Sequence, residues 1–161
     1  MKTWIVGMLF VVWSVMPQAD ENRWTVQEAS ALVAVDEYLD AFNARDAKRF
    51  AAALHYPHMR VDGLGRPAFW PTLDDYLKVV EFESAMRTGW VYSRYDWKRV
   101  VQSGKHKVHV MVSFTRYGAD DKPLHTQESL YVVTEHDGRW AIQVRSSYLE
   151  QVQADSGIKL K

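Results

Sequence analysis

The segment His55-Tyr56-Pro57-His58-Met59-Arg60-Val61-Asp62 gathers two imidazoles, a guanidinium and a carboxylate into eight residues. Side chains alternate along an extended chain, so His58, Arg60 and Asp62 share one face. A carboxylate among apolar groups has its pKa raised toward working pH and can move a proton, while a nearby phenol stabilises charge developing on a carbonyl oxygen. Of the polar residues in apolar surroundings, Tyr38 and Asp62 bear most on such chemistry. Each also has a plainer use: Tyr38 as a core aromatic with its hydroxyl satisfied, Asp62 as a turn residue before Gly63. A zinc site needs a third ligand and an open position, which a bare His-x-x-His around a proline does not supply, so no metal is expected. His106 and His109 lie three apart along a strand and point to opposite faces. Arg94, Asp96, Glu128 and Arg145 fall inside otherwise apolar alternating runs. Such charges are tolerated only when paired or wet. They read either as cross-strand ion pairs on an exposed face or as Glu128 or Arg145 turned inward to fix an anionic or carbonyl-bearing ligand, and one bulge reverses that parity.

Several chemistries are excluded. The 161 residues contain no cysteine, so there is no thiol nucleophile, disulfide framework or thiolate metal site. Gly63-Leu64-Gly65 neither follows a buried parallel strand nor opens a helix, as a phosphate loop would, and there is no Gly-x-Ser-x-Gly elbow. Lys+Arg and Asp+Glu balance at 20 each, giving a formal charge of zero and no field to hold a nucleic acid. No cofactor is called for.

The elements that must position these residues have their own signals. Thr25 and Glu28 form a capping box, and Leu32, Val35, Leu39 and Phe42 make an apolar stripe to about Asn43. Asp46 caps a second helix whose buried side is Phe50, Ala53 and Leu54 and which Pro57 ends. A short strand over 58–62 leads into a loop at 63–67, and Thr72 opens a third helix on Leu73, Tyr76, Leu77 and Val80 that fades near 86–89. From Trp90 the period becomes two, predicting antiparallel strands at about 90–101, 107–117, 125–135 and 139–148, the last pair joined by Asp137-Gly138. Val108, Val110, Val112 and Phe114 are read as one core face. Helices first and long strands afterwards make an α+β domain with about three N-terminal helices on a strongly curved, mainly antiparallel sheet.

Tyr38-Leu39-Asp40-Ala41-Phe42-Asn43-Ala44-Arg45-Asp46, Val61-Asp62-Gly63 and Asp137-Gly138-Arg139-Trp140, in that order of elements, resemble the cone-shaped superfamily of nuclear transport factor 2, with its ketosteroid isomerases and SnoaL-like cyclases. The resemblance spans about residues 25–148. It implies that Tyr38 takes the place of the isomerase tyrosine that hydrogen-bonds the substrate oxygen and Asp62 that of the general base, while Ser129 stands where the isomerases keep a protonated aspartate. His55, His58, Trp90, Glu128, Ser129 and Arg145 are then expected to line the pocket. Two functions follow from it: a domain binding a small apolar or aromatic molecule, with or without cofactor-free isomerase- or lyase-like chemistry, or a non-catalytic module that forms a homodimer or docks a partner. Seven Trp and eight Tyr, including Trp70, Trp90, Tyr92, Tyr95 and Trp97, suit either use. A cavity of about 300 Å³ or more with Tyr38 and Asp62 inside would favour the ligand, and one filled by Trp and Tyr rings the module.

Lys2, the 12-residue apolar run Trp4–Val15 and Ala19 have the layout of a signal peptide over 1–19. The run is shorter than the roughly 20 residues a membrane helix needs, so export to the periplasm or exterior is expected, with no span in the mature chain. Residues 20–150 would form the cone and 151–161 a flexible tail.

Overall fold

The structure, a computed structural model, describes residues 25–148. The expected signal peptide and the whole of the expected tail lie outside the described residues. The order is α1 (Val26–Asn43), α2 (Ala47–Ala52), β1 (Leu54–Val61), β2 (Pro67–Trp70), α3 (Leu73–Leu77), α4 (Glu83–Arg87), β3 (Tyr92–Gly104), β4 (Lys107–Tyr117), a 3₁₀ turn (Ala119–Asp121), β5 (Pro123–His136) and β6 (Arg139–Ser147). The six strands form one sheet in the order β2-β1-β6-β5-β4-β3. All neighbours are antiparallel except β1 and β6, which run parallel.

Helix α1 begins at the expected capping box, with Thr25 Oγ1 accepting from Glu28 N–H and the Glu28 carboxylate accepting from Thr25 N–H. Its buried side is Ala31, Ala34, Val35, Tyr38, Ala41 and Phe42, rotated from the expected stripe so that Leu32 and Leu39 are only half-buried. Alanines carry no bulk beyond Cβ, and among them the large Tyr38 is buried, at 5% exposure. Lys98 on β3 pairs with Asp36 on the helix flank at 2.5 Å.

Three readings differ from the structure. The second helix stops at Ala52, and Leu54 and Pro57 belong to β1. Proline is excluded from a continuous ladder, and the β1–β6 register shifts between Leu54 and Met59, the interval that holds Pro57 and a cis Tyr56–Pro57 bond. The segment at Pro67–Trp70 is a strand, β2, paired with β1. The third helix divides into α3 and α4, and just ahead of α4 the Glu81 carboxylate accepts from Ser84 N–H at 3.1 Å.

Strands β3 to β6 fall close to their expected positions. Asp137 and Gly138 take φ of 52° and 79°, the left-handed pair of a tight hairpin. Val108, Val110, Val112 and Phe114 form one buried face, joined by Tyr131, Val133 and Ile142. On β6 a register shift opposite Val132 and Val133 lets both Ile142 and Arg145 face inward although they stand three positions apart. The long β3 is a sheet edge, with register shifts at Tyr95/Trp97 and Val100/Gln102. Its beginning is held by Asn43, whose Nδ2 donates to Ser93 C=O at 2.8 Å and whose Oδ1 accepts from Ser93 N–H at 2.8 Å.

Candidate functional site

Strand alternation in β1 turns His58, Arg60 and Asp62 to one buried side, as expected. Their environments differ. Asp62 closes the turn that follows the strand: Oδ1 accepts from Leu64 N–H at 3.0 Å and Arg66 N–H at 2.9 Å, and Oδ2 accepts from Arg66 Nε at 2.8 Å and pairs with Nη2 at 2.8 Å. Burial alone would raise its pKa, but the Arg66 amide and guanidinium outweigh it and hold the carboxyl below its ordinary value. The side chain is 2% exposed because Arg66, itself 62% exposed, lies over it as a thin cover at the surface. Tyr38 has a different partner: its hydroxyl accepts from Arg145 Nη1 at 3.1 Å. The expected base and phenol thus have different hydrogen-bond partners, Asp62 within its own turn and Tyr38 across to β6.

His58 lies within the molecule, 2% exposed, between the rings of Trp70 and Tyr76 at 5.8 and 5.7 Å. Burial, with Arg60 and Arg145 adding to it, pushes its pKa down to about 3, so the imidazole is neutral. His55 does not line the same space. It stacks on His136 at 4.3 Å and shares a 2.9 Å hydrogen bond with Thr134 Oγ1, on the face opposite Val133, because residues three apart along a strand point to opposite faces. Its pKa is lowered to about 4 by burial, then by Arg139 and His136. Among the described residues no three His, Asp or Glu side chains converge as a metal cluster.

Glu128 also departs from expectation. It is exposed on the outer face of β5, since alternation gives the inward positions to Ser129, Tyr131 and Val133. Trp90 is buried but belongs to the aromatic packing around Phe42, 4.6 Å away, with its Nε1 donating to Ser93 Oγ at 2.9 Å. Arg145 and Ser129 do face the interior.

What the strands assemble is a row of large polar side chains. Arg60 on β1 is the register partner of Arg145 on β6, and Arg145 that of Tyr131 on β5. The Arg145 guanidinium lies 5.6–5.9 Å from the ring centres of Tyr131, Phe114 and Tyr38. Burial works against its charge, but the surrounding Tyr131 and Tyr38 outweigh that and it stays protonated. Burial, with Arg145 alongside, lowers the pKa of Arg60 to about 10, which still leaves it charged at neutral pH. None of the three Arg60 nitrogens has a hydrogen-bond partner, nor do Arg145 Nε, His58 Nδ1, Tyr76 Oη and Ser129 Oγ. The space beside Arg145, lined by Tyr38, Leu39, Phe42, Phe114 and Tyr131, has a cavity volume of about 20 Å³.

No protein-family model matches the sequence, and comparison with curated proteins also finds no match. Solved structures do match in shape. A ketosteroid isomerase-like protein from Erwinia carotovora atroseptica superposes with a TM-score of 0.59 at 19% identity, covering 77% of this chain and 96% of its own. An NTF2-like protein with a cystatin-like fold from Novosphingobium aromaticivorans gives 0.61 at 8%, covering 83% and 90%. An NTF-2-like protein of unknown function from Shewanella oneidensis gives 0.57 at 16%, covering 74% and 96%. The fold is the nuclear transport factor 2-like cone. In this cone the helices and the curved sheet enclose Tyr38, Arg60, Tyr131 and Arg145 at the centre.

Arg60 in that centre and Tyr76 beside it carry only weak signals in the sequence. Arg60 was legible as a charge on the inward face of a strand, and Tyr76 as a buried helix position. Tyr131 had no signal that set it apart from other strand aromatics, because its place beside Arg145 depends on the β5–β6 register.

Proposed function

We propose that the domain is exported and binds a small apolar or aromatic molecule inside the cone, with Tyr38, His58, Arg60 and Arg145 orienting it and without acid–base work by Asp62. The carrying observation is the set of buried polar atoms on His58, Arg60, Tyr76 and Ser129 that have no partner. Buried polar groups are ordinarily hydrogen-bonded, so a group of orphaned donors and acceptors on the inward side of an aromatic cone supports a ligand site. Native mass spectrometry of the purified mature protein should report a retained small molecule. A bare polypeptide whose stability no small-molecule panel raises overturns the reading. For export, N-terminal sequencing of protein from its native host should begin at Asp20, and a cytoplasmic protein beginning at Met1 overturns it.

A dimerisation or docking module is the second reading. It is favoured by the small volume left in the cone and by the outer sheet face, where Met111, Leu130, Val132 and Val144 are half-buried and Trp97 is 37% exposed. The same mass spectrum tests it, since the mass of a single chain at micromolar concentration overturns the homodimer.

A further inference from the structure

We propose that the molecule taken into the cone carries a carboxylate, and that Arg60 and Arg145 bind that group as a pair. The inference rests on the pocket reading above and deepens it. Arg60 and Arg145 are register partners on adjacent strands, a spacing of roughly 5 Å between backbones, and both are buried, at 2% and 4% exposure. Like charges set side by side on one sheet face repel, and the repulsion grows where water is excluded. A buried guanidinium is tolerated only when its donors meet acceptors and its charge meets a counter-charge.

The chain supplies no counter-charge. Among the described residues Asp62 is the one buried acid, and Arg66 occupies it. Burial raises the pKa of the surrounding Tyr76, Tyr95 and Tyr131, so these phenols remain neutral. Tyr38 satisfies a single Arg145 nitrogen, leaving Arg145 Nε and all of Arg60 open. The missing partner is thus an anion with oxygen acceptors in a plane, the geometry a guanidinium fork binds best. The cavity of about 20 Å³ beside Arg145 accepts a group the size of one water. A carboxylate head requires modest movement there, and the body of the molecule requires the rings around it to part.

The test follows thermal unfolding of the mature chain with benzoate, with its neutral counterpart benzamide, and with acetate. Benzoate should raise the unfolding temperature with concentration and benzamide should not. Arg60→Met should weaken benzoate binding by on the order of 10- to 100-fold. Without ligand, the same variant should unfold no earlier than the wild type, because it removes an unpaired buried charge. Arg60→Lys, which keeps the charge but loses the fork, should bind benzoate less tightly than the wild type. If benzamide stabilises as well as benzoate, or Arg60→Met binds benzoate normally, the carboxylate pair is overturned while the pocket stands. If acetate matches benzoate, the carboxylate pair is supported and the aromatic body of the ligand is overturned. Should Arg60→Met not fold, the carboxyl resonance of ¹³C-benzoate with wild-type protein gives the answer: a bound, shifted signal supports the pair, and an unperturbed one overturns it.

Discussion

Asp62, just past the end of β1, and His58 within it stand four residues apart on the same side, and what separates them is the number of donors within reach. Asp62 accepts from two amides and a guanidinium, so its proton is lost at a pH below the ordinary carboxyl value. Its folded pKa is depressed, so its contribution is complete above the unfolded value near 3.9 and is lost as pH falls through the folded one. Asp62→Asn should therefore flatten the acid end of a stability profile measured by urea midpoint, and leave ligand affinity unchanged within about twofold. An Asp62→Asn protein that folds but loses binding would show the carboxylate to be part of the site after all. His58 behaves in the opposite chemical sense with the same outcome for pH. It is neutral when folded and charges near 6.5 when unfolded, so the unfolded chain binds more protons and stability falls as pH drops below about 6.5. The slope it can supply is at most about 1.4 kcal/mol per pH unit. Its imidazole resonances should keep their neutral positions down to about pH 4, and titration near 6.5 would mean that water reaches it. The sequence showed which residues shared this face, but not the donors each would meet, because Leu64 and Arg66 reach Asp62 only after the turn has closed.

At the level of elements, legibility followed the range of the interactions that set each one. Thr25 with Glu28, Thr72 with Asp75 and Asp137 with Gly138 act over four residues or fewer, and all were readable and are formed. Each carries a measurable cost. Thr25→Ala should lower stability by about 1 kcal/mol through loss of the cap. Gly138→Ala should cost about 1–2 kcal/mol in denaturant unfolding, because the added Cβ meets nothing within 4 Å and only the left-handed backbone is penalised. A larger loss would mean that the hairpin itself had rearranged. By contrast, the parallel partnership of β1 with β6 joins segments some 85 residues apart, with Arg60 beside Arg145. Periodicity along one strand carries no information about which strand lies beside it. That is why Arg145 could be noticed as a charge in an apolar run and Arg60 as a charge sharing one strand face with His58, while their pairing could not. The β6 shift near Gln143 had the same effect, changing which residues turn inward without any mark in residue type.

For the whole molecule, the helix-then-sheet order was enough to expect the cone, since long alternating strands with short turns have few ways to bury one face. A sheet that does not close leaves two edges, and here they are unequal: β2 has 4 residues and β3 has 13. A long edge displays unpaired amides and carbonyls to which another chain can add. On β3 two register shifts disturb that row, Lys98 and Arg99 place charge along it, and at its beginning Asn43 offers Ser93 one donor and one acceptor, as a neighbouring peptide would. One side chain thus stands in for the first rung of a seventh strand. Its consequence lies in colloidal behaviour: Asn43→Ala should leave the monomer folded yet increase its rate of self-association on warming, read by light scattering, and by less when a charged residue is introduced at Val91, the exposed position just ahead of the strand.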